Sequence, residues 1–168
     1  MGRRSENTEY LKETISDALL QLMENTPIDK ITVQEITDLA GVGRMTYFRH
    51  FRSKTDVLSF KLQLLWKIWI GNHPCTYKIW CYERALWFFS FWYSIRRLLS
   101  LLYRQKQYDA LLQMFLLYAA SVEDGSSREQ YQEVFFAYGL LGIVMKWTAT
   151  EFQETPEKLA ALCTQCAA

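Results

Sequence analysis

The sequence predicts an all-α protein, and three observations carry that prediction. Apolar residues recur at three- and four-residue spacing along most of the chain, as one buried helix face requires. Seven Gly and three Pro in 168 residues are too few for a turn-rich β-sandwich or a low-complexity linker. Capping boxes and Pro or Gly breakers divide the chain into pieces of helix length. Hydrophobic residues at 50% against charged residues at 22% exclude disorder across the chain. The length is enough to bury a core without disulfide or metal staples.

The elements follow in order. Leu11, Ile15, Ala18, Leu19, Leu22 and Met23 predict a first helix from about Asn7 to Glu24, which Asn25-Thr26-Pro27 stops. Arg3 and Arg4 precede it as a solvated tail. Thr32-Val33-Gln34-Glu35 is a capping box that opens a short helix with Val33, Ile36 and Leu39 inside. Ala40-Gly41-Val42-Gly43 ends it, with Gly41 suited to the left-handed position. A second short helix follows from about Arg44 to His50. Ser53-Lys54-Thr55-Asp56 is another capping box, and it opens a long helix to about Ile70. After Gly71-Asn72-His73-Pro74 the chain turns aromatic and aliphatic over residues 75–122. Glu123-Asp124-Gly125 is a linker, a long helix runs from Ser126 or Ser127 to about Glu151, and Thr155-Pro156-Glu157 starts the last one.

The net charge of +1 conceals an asymmetry. Residues 1–40 hold four basic and eight acidic side chains, whereas residues 41–55 hold Arg44, Arg49, Arg52 and Lys54 and no acid. Two short helices joined by a glycine turn, with the second one basic, form a helix-turn-helix. Val42, Tyr47 and Phe51 fall on the inner side of its second helix, and Arg44, Met45, Thr46 and Arg49 largely on the outer. The plain alternative is a helical hairpin with a solvated basic face, against which the local excess of cations argues.

Ile31-Thr32-Val33-Gln34-Glu35-Ile36, Ala40-Gly41-Val42, Thr46 through Lys54 and Leu58 together resemble the DNA-binding domain of the TetR/AcrR transcriptional regulators, over about residues 8–60. Phe136, Gly139, Gly142, Trp147 and Thr155-Pro156-Glu157 more loosely resemble the C-terminal regions of TetR-like proteins grouped with an activator of dihydroxyacetone kinase operons. The resemblance implies a DNA-binding domain over residues 1–53 and a helical regulatory and dimerisation domain over 54–168. It implies a homodimer through the last two helices, a pseudo-palindromic double-stranded operator, and repression released by a ligand bound among the middle helices. Carried over by position, Gln34, Arg44, Met45, Thr46 and Arg49 can reach base edges, and Thr32, His50 and Lys54 face phosphates. Phe48 stands where the family usually has a phosphate-binding Tyr, so it packs on sugar without donating. Gly43 replaces the more usual Ser or Ala.

The remaining features divide between structure and function. Trp80, Tyr82, Trp87, Phe88, Phe91, Trp92 and Tyr93 supply core, and several Trp in one segment also suit a pocket wall for a flat hydrophobic or cationic molecule. Trp87, Phe91 and Trp92 are the candidate ligand residues. Glu83 and Glu133 are candidate counter-ions or plain surface. Gly139 and Gly142 either admit a partner helix or relieve crowding within one protomer, and the resemblance favours the partner. Cys75, Cys81 and the Cys163-Thr164-Gln165-Cys166 pair lack the further ligands of a metal site and stand as reduced thiols. No cofactor is expected. There is no nucleophile–base arrangement in helical register, so the chain is not expected to be an enzyme. No apolar run reaches the ~18 residues of a membrane span, and a cytoplasmic protein is expected. Two other functions stay open: a DNA-binding regulator controlled by a protein partner, and a helical interaction or lipid-carrier protein without specific DNA binding.

Overall fold

The computed structural model describes residues 2–76, 80–119 and 127–165. Among the described residues there are nine α-helices, one 3-10 turn and no strand. In order they are α1 (Gly2–Met23), the turn Ile28–Lys30, α2 (Val33–Ala40), α3 (Arg44–His50), α4 (Lys54–Asn72), α5 (Tyr82–Ser94), α6 (Arg96–Arg104), α7 (Tyr108–Ala119), α8 (Ser127–Ala149) and α9 (Pro156–Gln165). The expected linker at Glu123-Asp124-Gly125 and Cys166 of the terminal cysteine pair lie outside the described residues. No described helix is long and apolar enough to cross a membrane.

The chain divides into two compact units, Met1–Leu64 with Gln107–Met114, and Leu65–Lys106 with Phe115–Ala168. In the first, α1 packs on α2 and α2 on α3. Ile15, Leu19, Met23, Ile36, Tyr47, Val57, Leu58 and Leu62 form its core, each at most 1% exposed. Lys61 of α4 holds α1 by bonding Asp17 at 2.6 Å and Glu13 at 3.5 Å, and Ser59 donates to Gln113 at 2.6 Å. α1 starts at Gly2 rather than near Asn7, because nothing between those positions breaks a helix. Leu39, expected inside α2, is exposed. The buried side of that helix runs through Ile36 and Thr37, whose hydroxyl bonds Gln34 O at 3.0 Å and so tolerates burial.

In the second unit α5 lies along α9, and α6 against α8. Its interior is built of rings. Trp92 stacks on Phe115 at 5.0 Å, Trp66 meets Phe91 edge-on at 4.7 Å, and Phe89 meets Trp147 edge-on at 5.9 Å. These offset and edge geometries follow from the ring quadrupole. Trp147 ties the α8–α9 turn by donating Nε1–H to Glu154 O at 2.9 Å. Thr155 caps α9 by accepting from Lys158 N–H at 3.3 Å, with Pro156 at the first helical position.

The turn between α2 and α3 depends on one backbone state. Gly41 sits at φ 65°, its N–H bonds Asp38 O, and Val42 N–H bonds Thr37 O at 3.0 Å, a Schellman closure. A Cβ there would meet nothing within 4 Å. Any loss in Gly41→Ala is therefore backbone strain alone, expected at about 1 kcal/mol. Gly43→Ser, at an N-cap with extended backbone and no side-chain bond, should gain a few tenths of a kcal/mol, about what separates Ser from Gly at an N-cap. Urea denaturation of both variants checks the contrast.

Candidate nucleic-acid interface

α3 is seven residues long, too short to persist without packing. Tyr47, 1% exposed, and Phe51 pin it from beneath, with ring centroids 5.9 Å apart, and Phe51 meets Phe60 of α4 edge-on at 5.9 Å. Burial, and then the charge of Asp56, raises the Tyr47 hydroxyl above its ordinary value, which keeps it neutral. With that side buried, the helix turns Arg44, Met45, Phe48 and Arg49 to solvent, with Thr46 and His50 at the margins. Met45 is 76% and Phe48 53% exposed, so the outward face carries apolar side chains beside its two arginines.

α2 is fixed by its capping box. Thr32 Oγ1 accepts from Glu35 N–H at 3.2 Å, and a Glu35 carboxylate oxygen accepts from Thr32 N–H at 2.7 Å. The Thr32 hydroxyl donates to the same carboxylate at 2.7 Å. The Thr32 amide, then its hydroxyl, and more weakly Lys54, hold the Glu35 carboxyl below its ordinary range. Gln34 is exposed and donates to Asp38 at 2.6 Å, one turn along the helix. α4 opens on the second expected box: Asp56 accepts from Arg52 N–H at 2.9 Å and Ser53 N–H at 3.1 Å, while Ser53 Oγ accepts from Asp56 N–H at 3.0 Å.

Thr32, Gln34, Arg44, Met45, Thr46, Phe48, Arg49, His50 and Lys54 all lie in the first unit, on α2 and α3, at the N-cap of α2 (Thr32) and at the first residue of α4 (Lys54). Besides Gln34, two carry structural bonds as well. The Thr32 hydroxyl closes the cap, and Lys54 Nζ donates to the carbonyls of Ile28 and, at 2.9 Å, Ile31. Lys12 was not singled out from the sequence. Its ammonium sits 4.2 Å above the Phe60 ring and near His50, 38 residues away, a placement that no local motif announces. Burial lowers the His50 imidazole below its ordinary value, and Lys12 and Arg49 add to this.

The ligand candidates lie in the second unit. Phe91 and Trp92 are 1% exposed, and Trp87 is half-buried with Nε1–H donated to His73 O at 2.7 Å. The Nε1–H groups of Trp69 and Trp92 are buried with no partner among the described residues. Glu83 is exposed and Glu133 half-buried.

A short helix braced by a second across a left-handed turn, with a basic outward face, defines a helix-turn-helix DNA-binding domain. Residues 15–59 match the family model for bacterial regulatory proteins of the tetR family. The N-terminal domain is thus of tetR type, the domain of a DNA-binding transcriptional regulator. No curated protein matches the chain.

His50 and Glu35 each lie below their ordinary values in the fold, 6.5 for His50 and 4.5 for Glu35. The stability each confers is present above those values and lost as pH falls below them. Unfolding free energy should decline in two stages on acidification. His50→Gln should remove the upper stage and Glu35→Gln should flatten the lower, measured by denaturant titration at stepped pH.

Proposed function

We propose that the protein is a dimeric transcriptional repressor. It binds a pseudo-palindromic DNA site through α2 and α3, and binding within its regulatory region releases it. The observation that carries this is the outward face of α3, basic and apolar at once, on a segment of tetR type. Arg44 and Arg49 suit guanine edges, Gln34 suits adenine, Met45 and Thr46 suit the thymine methyl, and Thr32, His50, Lys54 and the Phe48 ring suit the sugar–phosphate backbone. In this reading residues 1–53 form the DNA-binding head and residues 54–168 regulate and dimerise.

The last two helices are the proposed dimer surface. Tyr131 at 78% and Phe135 at 83% exposure lead a stripe on α8 that continues through Tyr138 and Gly142 at i+7 and i+11. A Cβ at Gly139 or Gly142 meets nothing within 4 Å, so these glycines relieve no crowding in the protomer. An isologous partner gives them a purpose.

For the trigger, the unpartnered Trp92 Nε1–H supports a small hydrophobic molecule with one acceptor, bound against Trp87, Phe91 and Trp92. The complete burial of Phe91 and Trp92 supports the second reading, control by a protein partner, since a ligand must first part packed rings.

Selection of bound duplexes from a random pool tests the central claim, and failure to enrich any sequence overturns it. Arg44→Ala should relax base preference and weaken the selected site by ~1–3 kcal/mol. Lys54→Ala should weaken all duplexes alike and lower the salt slope by about one. It should also lose thermal stability, because Lys54 holds the 28–31 turn.

Gly142→Leu tests the assembly. Gly142 is exposed with open space at its Cβ, so circular dichroism should show the helical fold kept, while sedimentation should show the dimer dissociating.

A further inference from the structure

α6 has a polar face that the DNA-binding reading does not use. Leu99, Leu101 and Leu102 are buried, while Arg96, Arg97, Ser100 and Arg104 recur on the other side of the helix. With Tyr93 and Phe152 they line an open cleft of about 540 Å³, within the range of small-molecule sites. All of them belong to the second unit.

The cleft is electrostatically incomplete. Three guanidiniums face it, and among the described residues none of them is ion-paired. Glu151 is the one acidic residue in the lining. Arg96 and Arg97 stand in the first turn of α6, which has no acid. A concave wall bearing one sign of charge concentrates the opposite ion.

The walls are also prearranged. The Arg96 guanidinium lies 4.5 Å from the Tyr93 ring centroid and donates to Tyr93 O at 3.1 Å. Tyr93 stacks in turn on buried Trp147 at 5.7 Å. Glu151 and Phe152 both have left-handed backbones, at φ 53° and 59°, and Phe152 N–H bonds Trp147 O at 3.0 Å. Such strain persists only where surrounding contacts enforce it. Holding a guanidinium before the ligand arrives lowers the entropy lost on binding.

We infer that this cleft binds a small organic molecule with two acidic groups, phosphate or carboxylate. Arg97 and Arg104 are seven residues apart, about 10 Å along the helix axis, so they suit the two ends of such a molecule better than one compact anion. Its body lies over Tyr93 and Phe152, with Ser100 between the charges. Arg96, already held on Tyr93, supports one end. The site does not depend on DNA binding and differs in kind from the Trp92 region.

Calorimetric titration of the full chain with phosphoglycolate and with succinate, at ionic strength held constant with sodium chloride, tests the inference. Saturable binding of either is expected, and the better of the two identifies the acidic group. Arg97→Ala and Arg104→Ala should each weaken it at least tenfold. Arg104→Lys should recover only part of the loss, because the charge returns without the fork. Circular dichroism melts of each variant verify folding, and Arg104→Gln serves where the alanine variant does not fold. The inference is overturned if neither compound binds saturably, if binding survives loss of either arginine, or if only a hexaglutamate peptide binds.

Discussion

The burial of Tyr47 is the constraint on which the first unit depends. A helix of seven residues has too few internal bonds to offset the entropy of ordering it. Its conformation must come from tertiary contact, and Tyr47 and Phe51 supply that contact one turn apart. Once those two rings are pinned, helical geometry alone turns Arg44, Met45, Phe48 and Arg49 outward. Gly41 decides where the helix begins, and the Lys54 ammonium, bonded to two carbonyls of the 28–31 turn, secures the segment that leads into α2. The presented face is therefore rigid for reasons that lie behind it.

The second unit solves a different problem with the same residue class. Among the described residues its helices meet mainly through aromatic side chains, so ring packing takes over the work of orientation. Trp147 is the centre of one such group. It meets Phe89 edge-on, stacks with Tyr93, contacts Phe152 at 5.1 Å and bonds Glu154 through Nε1–H. One side chain thereby fixes the end of α5, the end of α8 and the turn toward α9. The high aromatic content follows from this, since a large ring buries much area for little conformational entropy.

Each unit leaves a surface that water alone does not account for. α3 shows cations beside Met45 and Phe48, α8 shows Tyr131 and Phe135 beside two glycines, and α6 shows three arginines with no ion pair among the described residues around a cleft. The proposed partners differ accordingly: a polyanion with grooves, the apolar helix of a second copy, and a small acidic molecule.

The sequence by itself determined the local features. The two capping boxes, the glycine turn, the start of α9 at Pro156 and the seven-residue span of α3 were legible because each rests on contacts within four or five residues. The residues expected to face DNA lie close together for the same reason, since they share α2, α3, the N-cap of α2 and the first residue of α4. Only the tertiary structure decided what depends on distant partners. It exposed Leu39 and buried Thr37, because the inner side of α2 is set by α1 and α3 rather than by α2 itself. It brought Lys12 over Phe60, turned Lys54 toward two carbonyls, and buried Phe91 and Trp92 completely. It also gathered Arg96, Arg97 and Arg104 with Phe152 into one cleft, although about fifty residues separate Phe152 from them. A pattern of periodicity states which face of a helix is apolar. It does not state which other helix that face will meet, and that pairing decides which polar residues end up side by side.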